Sequence, residues 1–250
     1  MIKKFLQGMV GANYLRSCER CNDWSGQRAA RLHPDTVLDV GCGDGSFLFR
    51  YLDYTPKVFH GIEASPSLKA QAEKRGLQVQ AVDLNGVWPY PDNSFDLVHC
   101  AQVIEHLHNT RLFAHETLRV LKPGGTALIT SENLTSFLNL GAMALGYTPF
   151  TLIRICGWYL GNPLGLHYRE HPEEGVPMTD PAYAGVTGHI RALSVFQAQE
   201  LFELVGFEAV RVSSLGLMPL PDWIGRSLED LMYRRGHMLL IHAKKPAAKI

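Results

Sequence analysis

The expected fold class is α/β, a doubly wound parallel sheet with helices on both faces. Three observations predict it. Short apolar runs alternate with helical stretches from residue 36 to residue 131, the rhythm of a parallel sheet. These runs are apolar almost throughout, as strands buried on both faces are. The first of them, Val37–Val40, leads into a turn with glycines at 41, 43 and 45, the kind of turn that joins strand to helix where a ligand approaches the backbone.

The elements follow in order. Residues 1–33 read as an amphipathic helical segment ending at His33-Pro34. Thr36–Val40 is the first strand, Ser46–Leu52 the start of a helix and Lys57–Ile62 the second strand. Ser65 then Pro66 opens a helix, with serine as N-cap and proline at the first helical position, where a missing N–H does no harm. That helix stops near Arg75-Gly76. Leu77–Val82 and Phe95–Cys100 are the third and fourth strands, Thr110–Leu121 a helix, Lys122-Pro123-Gly124-Gly125 a tight turn and Thr126–Thr130 the fifth strand. Residues 134–188 break the rhythm and are rich in glycine, proline and aromatics. It resumes at Ser194, where Ser194 and Gln197 have the spacing of a capping box, on a helix that runs to Val205 and stops at Gly206. Phe207–Ser213 is the sixth strand, 222–235 a helix and His237–Ala243 the last strand. A single Rossmann-like domain over 1–250, with an insertion at 134–188 after the fifth strand and a C-terminal part of the sheet at 189–250, accounts for this order.

Composition narrows the function classes. The chain has 250 residues, 46% hydrophobic, enough for one sizeable core. Lys plus Arg equals Asp plus Glu at 24 each, so no basic face is predicted and no nucleic-acid partner is expected. The five cysteines, Cys18, Cys21, Cys42, Cys100 and Cys156, form no disulfide framework and point to a reducing, cytoplasmic setting. Cys18 and Cys21 make a lone C-x-x-C with no second pair and no histidine at finger spacing, so they read as helix-borne thiols and no metal site is expected. The start, MIKKFLQGMVG, has no apolar run long enough for a signal peptide.

The glycine turn carries its own chemistry. A dinucleotide loop has the spacing G-x-G-x-x-G, and here the third glycine comes one residue early. Asp39 precedes the turn and Asp44 lies inside it. Two carboxylates repel pyrophosphate and suit a ligand bearing positive charge. Glu63, ending the second strand, sits where a carboxylate takes ribose hydroxyls in nucleotide-binding βαβ units; its other reading is a solvated strand end. Asp83, ending the third strand, has two readings of equal weight: a contact to an adenine amino group, or a turn-initiating aspartate before Asn85-Gly86.

Five segments then resemble the class I S-adenosylmethionine-dependent methyltransferases of the type 11 branch: VLDVGCGDG at 37–45, GIEAS at 61–65, VDLNGVWPYPDNSFDLVHCAQVIEHL at 82–107, LKPGGTALIT at 121–130 and GHIRALSVFQAQELFELVGF at 188–207. The resemblance implies a seven-stranded sheet whose last strand runs antiparallel, with S-adenosyl-L-methionine as cofactor in the half spanning 36–131. It implies that Asp39, Gly41 and Gly43 line the methionine end, with Cys42 between them. Glu63, followed by Ala64, would take the ribose hydroxyls, Asp83 and Leu84 the adenine, and Gln102 and Val103 would flank the methionine portion.

An activated methyl needs an acceptor held in line, and much of the rate comes from that positioning. A hydroxyl acceptor also needs a base. Candidates are Glu105 and His106 in VIEHLHN, with His108 nearby, and His189 in GHIRALS. The competing readings are that His106 shapes the pocket or caps the next helix, and that His189 fastens the insertion to the sheet. His167 and His171 read as solvated loop residues.

In the insertion, 134–161 holds Arg154 as its one charged residue but is broken by Gly141, Gly146, Pro149 and Gly157, so it does not read as a transmembrane span. Two short helices broken at Tyr147-Thr148-Pro149 fit better, forming a helical lid. The lid would pack over the site, with a hydrophobic acceptor pocket or a peripheral membrane contact as sharper readings. N-L-x-S-x-x-N and L-G-Y-x-P-F in this stretch resemble methyltransferases of bacterial glycan or secondary-metabolite pathways. The expected acceptor is a small molecule: a saccharide, a lipid- or quinone-like hydroxyl, or a secondary metabolite. A nicotinamide-dependent oxidoreductase and a non-catalytic S-adenosylmethionine-binding partner protein are the alternatives.

Overall fold

The computed structural model describes residues 2–152, 154–155, 158–159 and 188–248. The strands are β1 (Thr36–Val40), β2 (Val58–Ile62), β3 (Gln78–Gln80), β4 (Phe95–Ala101), β5 (Leu121–Glu132), β6 (Arg154–Ile155), β7 (Trp158–Tyr159), β8 (Glu208–Leu215) and β9 (Met238–Lys244). The helices are α1 (Ile2–Leu32), α2 (Ser46–Phe49), α3 (Pro66–Lys74), α4 (Thr110–Val120), α5 (Phe137–Ala144), α6 (Val195–Val205) and α7 (Asp222–Leu228). Seven strands form one sheet in the order β3-β2-β1-β4-β5-β9-β8, and β6 and β7 pair as a small hairpin. The β3 to β5 pairs are parallel. β9 runs antiparallel to both neighbours, so the last strand has the direction that the resemblance implies. The chain reverses its order between β1 and β4, and the crevice beyond the carboxyl ends of these strands is where open α/β sheets bind ligands.

Local chemistry sets the helix ends. The Ser65 hydroxyl accepts from Leu68 N, with Pro66 opening α3. Ser194 and Gln197 make both halves of the capping box on α6, and Gly206 ends that helix at φ 110°. The Asn109 side chain accepts from Leu112 N at the start of α4. The sheet is buried on both faces. Leu38, Val98, Ala127 and Ile129 pack with Phe113 of α4 and Phe202 of α6 on one side. Val37, Leu97 and Leu128 pack with Leu48, Phe59, Leu77 and Ala29 of α1 on the other. Consecutive residues of one strand thus serve opposite cores, which is why these strands carry no polar alternation.

Two expectations are corrected, and a third is refined: the tight turn expected at 122–125 falls inside β5, with Gly124 at φ 79°. Leu121 pairs with Phe95 and Thr126 with Leu97, so the residues between bulge out of the ladder. Gly125 has no room for a Cβ, which would come 2.8 Å from Lys122 O. The helix expected over 222–235 stops at Leu228. Carbonyls beyond it are taken by distant side chains instead of a helical ladder: Ser214 Oγ of β8 donates to Tyr233 O, and Asn133 Nδ2, just past β5, to Arg234 O and Gly236 O. In the insertion, α5 forms, but only a 3-10 turn at Phe150–Leu152 follows Pro149, with the hairpin β6–β7 after it. Leu138, Ala142 and Phe150 pack on Val10 of α1 and on Met218, so this part of the insertion docks against α1. Residues 160–187, with His167 and His171, lie outside the described residues, as does most of the expected lid. Among the described residues no helix is long and apolar enough to cross a membrane.

Candidate active site

A cavity of about 690 Å³ opens beyond the carboxyl ends of β1, β2, β4 and β5, within the size range of small-molecule sites. Gly41 and Gly43 line it after β1, Glu63 and Ala64 after β2, Asp83 and Leu84 after β3, and Gln102 and Val103 after β4. His106, His189 and Glu132 line its far end.

The three glycines of the turn are left-handed, with φ of 71°, 56° and 77° at Gly41, Gly43 and Gly45. A Cβ at Gly41 would lie 2.3 Å from Val103 Cγ2, whereas one at Gly43 would meet nothing within 4 Å. Gly41 therefore lets two loops touch, and Gly43 leaves open space over the cavity. Gly45 lies against Ala72, where it permits close helix packing. Glu63 holds the turn: Oε2 accepts from Gly43 N at 3.0 Å and Oε1 from Ser65 N at 2.8 Å. Burial pushes its carboxyl above the usual range, while these backbone N–H groups pull against that rise. Asp83 Oδ1 accepts from Asn85 N and Nδ2, so the turn-initiating reading holds while the residue also lines the cavity. Gln102 takes φ 55°, a conformation that non-glycine residues adopt at a cost and that clusters at functional sites.

Asp39, Cys42 and Glu105 do not line the cavity. Asp39 pairs in register with His99 of β4, and His99 Nδ1 donates to Asp39 Oδ1 at 2.7 Å. His99 Nε2 lies 3.3 Å from Ser25 Oγ of α1, and Phe47 stacks on its ring. Asp39 Oδ2 is buried without a hydrogen-bond partner. Cys42 turns its sulfur toward Gly61 and the core of Leu48, Phe59 and Leu77, and burial raises its thiol pKa far above the ordinary value. Glu105 is buried behind the wall; Ser131 Oγ donates to its Oε2 at 2.9 Å. Burial pushes its carboxyl up to about 7.

His106 Nδ1 donates to Gly188 O at 3.1 Å and His189 Nδ1 to Thr151 O at 2.7 Å. The second bond ties His189 to the insertion, as one of its readings expected. The two rings meet edge to face, 4.9 Å between centroids. Glu132, at the end of β5, accepts from Tyr14 OH at 3.4 Å and lies 3.6 Å from His189 Nδ1.

Sequence reasoning missed two parts of the site. Tyr14, Cys18, Cys21 and Asn22 of α1 form a side wall; their spacing marks one helical face. Glu132 was also missed, though an acid at a strand's carboxyl end is the same signal that marked Glu63. Among the described residues no lysine or arginine lines the cavity. The described wall thus offers a pyrophosphate no cationic side chain. Glu63 and Asp83, two carboxylates in that wall, fit a ligand with ribose hydroxyls and positive charge.

Comparison with known proteins agrees with this geometry. A family described as a methyltransferase domain matches residues 38–129. The 2-methyl-6-phytyl-1,4-hydroquinone methyltransferase of Synechocystis sp. is 36% identical over 107 residues, covering 39% of this chain and 32% of that one. The tRNA U34 carboxymethyltransferase of Desulfotalea psychrophila is 34% identical over 122 residues, 43% of this chain and 37% of that one. The chain spans about two fifths or less of the length of the curated relatives it matches. An S-adenosylmethionine dependent methyltransferase from Mesorhizobium loti superposes with a TM-score of 0.56 at 18% identity, over 90% of this chain and 98% of that chain, which shows a shared fold.

Proposed function

We propose that the chain is a class I S-adenosylmethionine-dependent methyltransferase of the type 11 branch, with S-adenosylmethionine as its cofactor, and that it transfers a methyl group to a hydroxyl of a small molecule; the methyltransferase-domain match over residues 38–129 supports this reading. The observation that carries this reading is one continuous cavity with two unlike ends. One end presents Glu63, Asp83 and the open backbone of Gly43. The other presents His106 and His189 beside apolar Val103, Leu107 and Met238.

Bound in this cavity, the cofactor supplies a methyl already activated on a positively charged sulfur. The chain's own work is placement and proton control. Glu63 would hold the ribose hydroxyls while its other lone pairs keep the turn at Gly43 and Ser65. Gly41 and Gly43 remove the side chains that would fill the space above the loop. Asp83 and Leu84 would border the adenine, and Gln102 and Val103 the methionine portion. His106 and His189 each spend Nδ1 on a backbone carbonyl, so the basic nitrogen is Nε2, at the end where an acceptor hydroxyl must lose its proton. The described apolar wall suits a hydroquinone-like or otherwise partly apolar acceptor, and the Synechocystis relative is named for a hydroquinone. Among the described residues the wall carries no lysine or arginine, which does not favour RNA.

Incubation of the chain with methyl-labelled cofactor and separate panels of hydroquinones, other phenols, saccharides and RNA tests this reading. Label in a hydroxylated small molecule is expected. Label only in RNA or protein would overturn it.

A further inference from the structure

Three side chains with ligating atoms converge at the far end of the cavity, His106 and His189 in its wall and Glu105 behind it. One oxygen of Glu105, one ring nitrogen of His106 and one of His189 lie within 4.8 Å of one another. They come from the turn after β4 and from the segment before α6, which Ile190 N holds together by donating to Glu105 O at 2.8 Å.

Each ligand already has its outer support. Glu105 is 2% exposed. Its Oε2 accepts from Ser131 Oγ, and its Oε1 is buried with no hydrogen-bond partner. A carboxylate oxygen in that setting calls for a positive charge. A carbonyl oxygen only accepts, so Gly188 O and Thr151 O hold His106 and His189 as the tautomers protonated at Nδ1. Each ring then carries its lone pair on Nε2. Metal-binding histidines are oriented in this way, by a carbonyl or carboxylate on the other ring nitrogen.

We propose that Glu105, His106 and His189 bind one divalent transition-metal ion, and that this ion holds the acceptor hydroxyl. Two imidazoles and one carboxylate suit ions such as Zn2+ or Mn2+, while Mg2+ and Ca2+ prefer all-oxygen shells. Neighbouring ligand atoms around such an ion sit about 3.0–3.5 Å apart, so small side-chain rotations close the set. The acceptor role rests on the proposed methyl transfer; the binding of the ion does not. In that role the imidazoles are ligands rather than bases. The ion lowers the pKa of the bound hydroxyl and its proton passes to bulk water. The oxygen's electron pair then forms the bond to the methyl carbon as the carbon–sulfur bond breaks toward sulfur. The sequence indicated no metal because its ligands are split between 105–106 and 189, outside any compact ligand spacing.

Titration calorimetry of the full chain with Zn2+, Mn2+ and Mg2+ tests the site. Binding of about one Zn2+ or Mn2+ per chain is expected, with Mg2+ weaker. Glu105→Gln and His189→Ala should each weaken it by about tenfold or more, with affinity for S-adenosylhomocysteine kept as the sign of an intact fold. Cys18→Ser/Cys21→Ser should leave it unchanged. Absence of binding, or binding lost with the cysteines and kept in Glu105→Gln, would overturn the site. Pulsed electron paramagnetic resonance of the unmutated chain with Mn2+ should show imidazole nitrogen coupling; no such coupling would also overturn it. Methyl transfer at full rate after chelation would remove the ion from the reaction, whereas bound metal with no transfer to any hydroxyl would count against the proposed function instead.

Discussion

Asp39 and His99 are cross-strand partners, joined at 2.7 Å between β1 and β4 and almost wholly shielded from water. Their contact binds the glycine turn to the middle of the sheet, and Ser25 extends it to α1. Removing one partner of a buried hydrogen bond leaves the other unsatisfied and costs about 1–3 kcal/mol. His99→Leu should lose stability on that scale in urea unfolding, and His99→Gln, which keeps a donor, clearly less. Equal stability of the two variants would reduce the pair to packing.

Glu63 supports both the turn and the expected ribose contact. Glu63→Ala should weaken binding of S-adenosylhomocysteine by about 1–3 kcal/mol, the range for a lost charged hydrogen bond. Calorimetry measures this directly, and unchanged affinity would take Glu63 out of the cofactor site.

Gly41 and Val103 are paired by shape. Gly41→Ala adds a methyl 2.3 Å from Val103 Cγ2 at φ 71°. It should lower the melting temperature through both overlap and left-handed strain, the strain alone being about 1–2 kcal/mol. Adding Val103→Ala should recover the overlap part and leave the strain. No recovery in the double variant would show that the backbone alone sets the cost.

Acid should loosen the grip of α1 on the C-terminal segment. Burial pushes the Glu229 carboxyl up, but Arg20 and the N–H of Gly216 together outweigh it, so its pKa lies below the ordinary 4.5. A folded-state pKa below the unfolded one adds stability above the unfolded value and loses it as pH falls through the folded value. Glu229→Gln should therefore destabilise the chain at neutral pH and shrink its further loss of stability below 4.5. Urea titrations on both sides of that value test this; parallel curves for variant and parent would refute it.

Much of the framework was legible because its causes are local. Ser65-Pro66 and Ser194 with Gln197 announce helix starts within four residues of chain, and Gly206 announces an end. The apolar runs of β1, β4 and β5 announce strands because each residue needs burial whichever face it takes. The glycine turn and Glu63 were legible for the same reason, since a strand end and the loop after it are contiguous in sequence.

What lay outside local sequence depended on partners far along the chain. Strand period places Asp39 at the right strand end, but only its register with His99 turns the carboxylate inward, away from the cavity. Residues 229–236 leave the helix as Ser214 of β8 and Asn133, just past β5, take the carbonyls of Tyr233, Arg234 and Gly236. The α1 wall and Glu132 join the site only once α1 packs across the sheet. The sequence by itself determined the sheet, the caps and the glycine loop, through backbone preferences that act over a few residues. Tertiary structure decided which acids line the cavity and which face the core, and it brought Glu105, His106 and His189 together. Such meetings are set by packing between distant segments, which no local pattern encodes.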